Sequence, residues 1–341
     1  MRWQLARRTI VGVATAGVCV GGGSGAHADS ASPTDYLSTI VSVEPATATI
    51  EVRMVGGDAF FELVVEPGTT VEVVGYQGEP YLRVLPDGTV EENRSSPTRA
   101  LNTDRFGTSA PAPAAGASAK ATVDWQVVGD GGRYAWHDHR THWMSTSPPI
   151  GARPGDQILE GVVPLVVDGV EVDVTVRSVW QRAPSPAPVW LGFVAGIAGA
   201  GVLARRWWRD RRGTPVALAA VGVAFAALVV GVWQYVSMPS ETGPRLVWWL
   251  LPFVAVLTVG VEWFVGKRDP LMATSMVALI GVLLVVWAWL RRDGLRRAIL
   301  PTDAPFWLDR LVTATALSSG AIAVAVAVAA MFRPTLRRLP R

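Results

Sequence analysis

"GVEVDVTVRSVWQRAPSPAPVWLGFVAGIAGAG", residues 169–201, changes character halfway along. Up to Trp180 apolar and polar residues alternate, the period of a half-buried β-strand. From Val189 the chain becomes an unbroken apolar run in which Gly192, Gly196 and Ala200 recur every four residues. Between the two, "QRAPSPAP" (181–188) interrupts both patterns with proline. The junction predicts a chain in two parts, all-β before it and membrane-helical after it.

Working back from the junction, period-two runs recur as "TATIEVRM" (47–54), "AFFELVVE" (59–66), "TVEVVGY" (70–76), "PYLRVL" (80–85) and "VDWQVVG" (123–129). Gly-, Pro- and Asp-rich turns separate them, and Asp87-Gly88 and Asp168-Gly169 suit tight hairpins. Residues 29–187 are therefore predicted to form an all-β, sandwich-like domain of roughly seven to nine strands. "GTSAPAPAAGASAKA" (107–121) lacks any large apolar residue and reads as a mobile loop within it. The polar, turn-rich "NRSSPTRALNTDRFG" (93–107) is expected to run across one end of the sandwich.

Working forward, apolar segments at 189–204, 215–236, 246–265, 271–290 and 311–332 predict a transmembrane domain of about five helices over 188–332. Ten of the fifteen tryptophans fall between 190 and 307, most near segment ends, as a belt at the membrane interface requires. Half of the 341 residues are apolar and the mean hydropathy is +0.30, too apolar for one soluble domain. The small-residue face of the first segment suits close packing against another helix, within the bundle or across a dimer. Glu262 is the only acid well inside a segment, and one turn from its end it reaches water. Without a charged partner there, a pump or ion-coupled transporter lacks its usual parts.

The N-terminus supplies the orientation. "MRWQLARR", the apolar "TIVGVATAGVCVGGGSG" and "AHA" before Asp29 read as a signal peptide over 1–28, which places the β-domain outside the cytoplasm. Cleavage there removes Cys19, the only cysteine, so the exported domain has no disulfide and no thiolate ligand. With the domain outside, "RRWWRDRR", "GKRD" and a basic tail (333–341) are cytoplasmic. These stretches hold eleven Lys and Arg against six in the loops 237–245 and 291–310, although the second loop alone carries five. The net charge of +3 comes from arginines flanking apolar segments and marks topology rather than a nucleic-acid surface.

One stretch concentrates chemistry. "YAWHDHRTHWM" (134–144) holds three of the four histidines, and the fourth, His27, lies in the signal peptide. As a regular strand it would place His137 and His139 on one face with Ala135, Thr141 and Trp143, and Asp138, Arg140, His142 and Met144 on the other. An H-x-H pair is a bidentate start for copper or zinc, and His142 can join it only through a turn. Met144, or Met54, could add a thioether. Asp138 or Asp124 could serve as ligand or as the acceptor that fixes an imidazole tautomer. Histidines with a methionine and no cysteine suit copper better than structural zinc, which commonly uses thiolates. The competing reading is structural: Asp138 pairs with Arg140, the histidines bond backbone carbonyls, and Trp136, Trp143 and Tyr134 pack as core. No thiol nucleophile, G-x-S-x-G elbow, P-loop, dinucleotide-binding glycine pattern or H-E-x-x-H is present, so no enzymatic activity is expected.

Together "GYQGEPYLRVLPDGTVEENRSSPTRALN" (75–102), the 134–144 string and "PLVVDGVEVDV" (164–174) resemble a family of uncharacterised actinobacterial membrane proteins with a secreted β-domain. That resemblance covers most of 30–332 and implies an architecture but no activity. In layout the chain also resembles bacterial copper-resistance proteins that fuse an exported β-sandwich to a helical membrane domain, which implies copper handling. It departs from them in having no histidine near "DSASP" (29–33) or in any membrane segment. Two functions fit these features: a multi-pass cell-membrane protein whose extracytoplasmic domain binds copper, or zinc, and a non-metal module docking an envelope protein partner.

Overall fold

The computed structural model describes residues 30–106, 116–210, 214–265 and 270–331. The expected signal peptide (1–28), most of loop 107–121, the side chain of Glu262 and the basic tail (333–341) lie outside what is described.

Among the described residues ten strands precede the long helices. They are β1 (Tyr36–Glu44), β2 (Ile50–Val55), β3 (Phe60–Val65), β4 (Val71–Val74), β5 (Pro80–Val84), β6 (Val90–Asn93), β7 (Trp125–Gly129), β8 (Arg133–Trp136), β9 (Gln157–Val167) and β10 (Val170–Trp180). A short helix, α1 (Pro97–Leu101), comes after β6. The strands form a seven-stranded sheet, β1-β10-β9-β4-β5-β6-β7, and a three-stranded sheet, β2-β3-β8. All pairings are antiparallel.

The alternation that opens the sequence is realised in β10, where Val172, Val174 and Val176 point inward and are fully or almost fully buried. They join Val73, Leu82 and Leu165 in one core with Phe61, Leu63 and Trp136 of the smaller sheet. Burying those faces against each other is what makes two sheets one unit. The β9–β10 hairpin closes with Val167 opposite Val170, and Asp168 and Gly169 take φ of +48° and +82°, the two positive angles of a type I′ turn. At Asp87-Gly88 only the glycine is left-handed.

Five long helices complete the described chain: α2 (Ala187–Asp210), α3 (Thr214–Val236), α4 (Val247–Val265), α5 (Pro270–Leu290) and α6 (Phe306–Met331). Two stretches, Ala187–Arg206 and Phe306–Met331, are long and apolar enough to cross a membrane. The small-residue face of α2 packs inside the bundle, against α6. A Cβ at Gly192 would fall 2.4 Å from the Leu311 carbonyl oxygen, and one at Gly196 would fall 2.1 Å from Ser318 Oγ. The opposite face of α2 leaves Trp190, Leu191, Val194, Ile197 and Val202 exposed.

The connections after α3 and α5 both meet the β-domain. Thr34 and Ile299 exchange backbone hydrogen bonds of 3.0 and 2.9 Å, Asp35 accepts from Arg297 (2.6 Å) and the Ala298 amide (2.9 Å), and the Ala135 amide donates to Glu241 (3.0 Å). In the arginine-rich connection the side chains are tied down as well. Arg291 pairs with Asp309 and Gln234, and Arg310 donates to the carbonyls of Gly294, Arg297 and Ala298.

Candidate metal centre

The histidine stretch is not a regular strand. β8 ends at Trp136, and Asp138 curls the chain beyond it. The Asp138 carbonyl accepts from the Thr141 amide (3.1 Å) and hydroxyl (2.7 Å), while its carboxylate accepts from the Arg140 amide (3.0 Å). A short acidic side chain bonding the backbone two residues on is a turn-former and competes with strand pairing. The turn swings His142 from the opposite face round to the others. Ring centroids lie 4.4 Å apart for His137 and His142, 5.3 Å for His137 and His139, and 5.7 Å for His139 and His142. One nitrogen from each ring falls within 4.8 Å of the other two.

Each ring is oriented by a backbone carbonyl. His137 Nδ1 donates to Ala59 O (2.8 Å), His139 Nε2 to Asp104 O (2.8 Å) and His142 Nδ1 to Trp143 O (3.0 Å). A carbonyl can only accept, so these nitrogens carry the proton; in neutral rings the second nitrogens of His139 and His142 keep a lone pair, whereas that of His137 meets another carbonyl. His137 Nε2 lies 3.4 Å from Arg105 O. His142 Nε2 is buried with no hydrogen-bond partner among the described residues.

Burial keeps two of the rings uncharged. It pushes the His137 pKa down to about 4, with the nearby Arg105 charge acting in the same direction. His142 is driven well below its ordinary value by burial first, then by His137 and Arg105. Neutral imidazole is the form that ligates a metal. Nitrogens about 2.0–2.1 Å from one tetrahedral ion lie ~3.4 Å apart, so a pair at the 4.8 Å limit has to close by more than ~1 Å to hold one.

Asp138, expected as a candidate ligand, is placed elsewhere. Its carboxylate takes Arg140 Nε (2.9 Å) and a terminal Arg140 nitrogen (2.7 Å), and Trp136 Nε1 donates to it at 3.0 Å. Burial alone would raise this carboxyl, but the hydrogen bonds and charge of Arg140 outweigh it and leave the pKa below the usual range. With its charge balanced and both oxygens engaged, it holds the turn rather than an ion. Met144, two residues beyond His142, is half-buried. Met54 packs on the core, and Asp124 sits at the β6–β7 edge, its amide on Asn93 (3.0 Å). Trp136 is core, whereas Trp143 is only half-buried and donates to Ser147 O.

Three supports were not legible in the motif. Tyr76 stacks on His139 (centroids 5.8 Å apart, planes 17°), accepts its amide (2.7 Å) and carries the Arg140 guanidinium over its ring at 4.9 Å. Asp104 supplies a carbonyl from the segment expected to cross the end of the sandwich. Arg105, paired with the buried Asp58 (2.6 Å), fixes that segment. His137 also forms part of the wall of a cleft of about 530 Å³ between the β-domain and the helix connections.

No protein-family model, curated protein or solved structure matches the chain, so the role of this cluster has to be derived from its geometry.

Proposed function

We propose that the protein is a membrane-tethered, extracytoplasmic metal-binding protein in which His137, His139 and His142 hold one transition-metal ion, copper in the first instance and zinc as the alternative. The observation that carries this reading is the buried lone pair of His142 Nε2, without a hydrogen-bond partner among the described residues and grouped with two other imidazoles. A buried acceptor left unpaired costs about 1–3 kcal/mol, and a coordinated ion relieves that cost. Three imidazoles without thiolate suit copper or zinc, and Met144 is the nearest thioether in sequence.

The membrane placement is part of the proposal: five crossings, with the β-domain outside. Exposed Trp190, Trp233, Trp289 and Trp307 support it, since each lies near the end of its helix that faces the β-domain, as an interfacial belt would. The apolar outer face of α2 supports it too, because lipid is the solvent that such a surface suits. The connections after α3 and α5 meet the β-domain, as an odd number of crossings requires.

The carbonyl hydrogen bonds and the Asp138–Arg140 pair favour a second reading, in which the segment is structural or docks an envelope protein. Calorimetric titration of the detergent-purified full-length protein with Cu(II), Zn(II) and, under reducing conditions, Cu(I) separates the two. The metal reading expects about one ion per chain in the wild type and none in the His137→Ala/His139→Ala/His142→Ala variant, with Met144→Leu weakening Cu(I) more than Zn(II). Because His137 takes up its proton only near pH 4, protonation of this ring should abolish uptake as pH falls through about 4. Equal, negligible uptake by wild type and triple variant overturns the metal reading.

A further inference from the structure

We infer that the cleft between the β-domain and the helix connections binds a phosphate-bearing anion at the level of the lipid headgroups. Its walls carry three arginines, Arg105, Arg245 and Arg297, together with the aromatic rings of Tyr36, Trp143 and Trp180. Two of these arginines are matched, Arg105 by Asp58 and Arg297 by Asp35, which itself lines the cleft. Arg245 is exposed and has no ion pair among the described residues. One guanidinium of the cleft, that of Arg245, is therefore left without a carboxylate partner among the described residues, and a guanidinium fork matches two phosphate oxygens at once.

Position names the source. Arg245 stands just before α4, Trp180 closes the last strand before α2, and Arg297 lies in the connection from α5 to α6. Trp180 therefore stands where the chain leaves the β-domain, and Arg245 and Arg297 stand in the helix connections that meet it. The loop after His142 adds Trp143, Ser145, Thr146 and Pro148 to the lining. Two residues further on, Ile150 projects with its side chain fully exposed, 104% of the reference area. A cationic cleft beside a protruding apolar tip, at the end of a helical bundle, suits a phosphodiester headgroup with its acyl chains alongside. The lipid source rests on the membrane placement proposed above; the anion site itself rests on the arginines alone and needs no metal.

Thermal melting of the metal-free, full-length protein in zwitterionic detergent tests the site with three probes: dihexanoyl-phosphatidylglycerol, dihexanoyl-phosphatidylcholine and glycerol 3-phosphate. Phosphatidylglycerol should raise the midpoint saturably, and Arg245→Gln should move half-saturation about ten-fold or more to higher concentration. As Arg245 has no ion-pair partner to lose among the described residues, the variant should melt like the wild type without ligand. A saturable, Arg245-dependent response to phosphatidylglycerol alone assigns a lipid. The same response to glycerol 3-phosphate assigns a phosphate site that needs no bilayer, which separates the anion site from the membrane reading. Equal responses to both lipids, or a phosphatidylglycerol response unchanged in Arg245→Gln, overturn it.

Discussion

The β-domain and the helical bundle each bury a polar cluster, and the two are built on opposite principles. In the bundle, Arg291 lies between the rings of Trp248 and Trp287 and meets Asp309 and Gln234, so charge faces opposite charge. Its leftover atom is Arg291 Nε, an N–H donor without an acceptor among the described residues. In the β-domain the charges are also settled, Asp138 against Arg140, but beside them three imidazoles face one another and the leftover atom is a lone pair. A spare donor cannot hold a cation, whereas a spare imidazole nitrogen among imidazoles can. Burial and ion pairing alone do not tell the clusters apart; the kind of atom left unpaired does, and it is what the proposed metal site rests on.

Removing the carboxylates should produce the largest effect and puts this contrast at most risk. Asp309→Ala leaves the buried Arg291 guanidinium without its counter-charge and should cost about 3–5 kcal/mol in the melting of the full-length protein, and Asp138→Ala, which strips the partly buried Arg140, should cost about 2–4 kcal/mol. Replacing Arg291 and Asp309 together with Met and Leu should recover most of that loss. If Asp138→Ala costs less than about 1 kcal/mol, Asp138 is not committed to the turn and the division of labour fails.

Acid titration distinguishes the clusters next. His137 has a folded pKa of about 4 against 6.5 unfolded, so between those values the unfolded chain takes the proton and the folded chain does not. Stability from this ring is complete above pH 6.5 and lost as pH falls towards 4, roughly 3 kcal/mol in all. The bundle has no histidine and contributes nothing over that window through imidazole. Denaturant unfolding of the metal-free protein at pH 7 and pH 4.5, wild type against His137→Gln, should show a smaller drop in the variant. The smallest effect belongs to an exposed pair used as a baseline: Arg177 and Glu160, 3.2 Å apart and both over 40% exposed, should yield no more than about 0.5 kcal/mol on Arg177→Ala.

Periodicity and composition were enough to divide the molecule. The change of period between Trp180 and Val189 falls where β10 gives way to α2, and the runs read as β2, β3, β4, β5 and β7 appear as strands because one-sided burial imposes alternation. The histidines were legible as a group because few residue types ligate metals and all the imidazoles outside the expected signal peptide lie in six positions. β1 and β6 escaped notice, and β8 was read only as the start of a longer strand over 134–144, because short or mixed strands gain their pairing from neighbours rather than from their own pattern. Which side chains meet was settled only by the packed fold. A regular strand would have parted His142 from His137, and the turn at Asp138 joins them. The acceptors that aim the rings are carbonyls of Ala59, Asp104 and Trp143, a group that every residue carries, so no residue type announces them. Tyr76 and Arg105 likewise reach the site only when distant segments pack. Local pattern records which face of an element avoids water; the approach of one segment to another is an energy of the whole fold and leaves no mark at any one position.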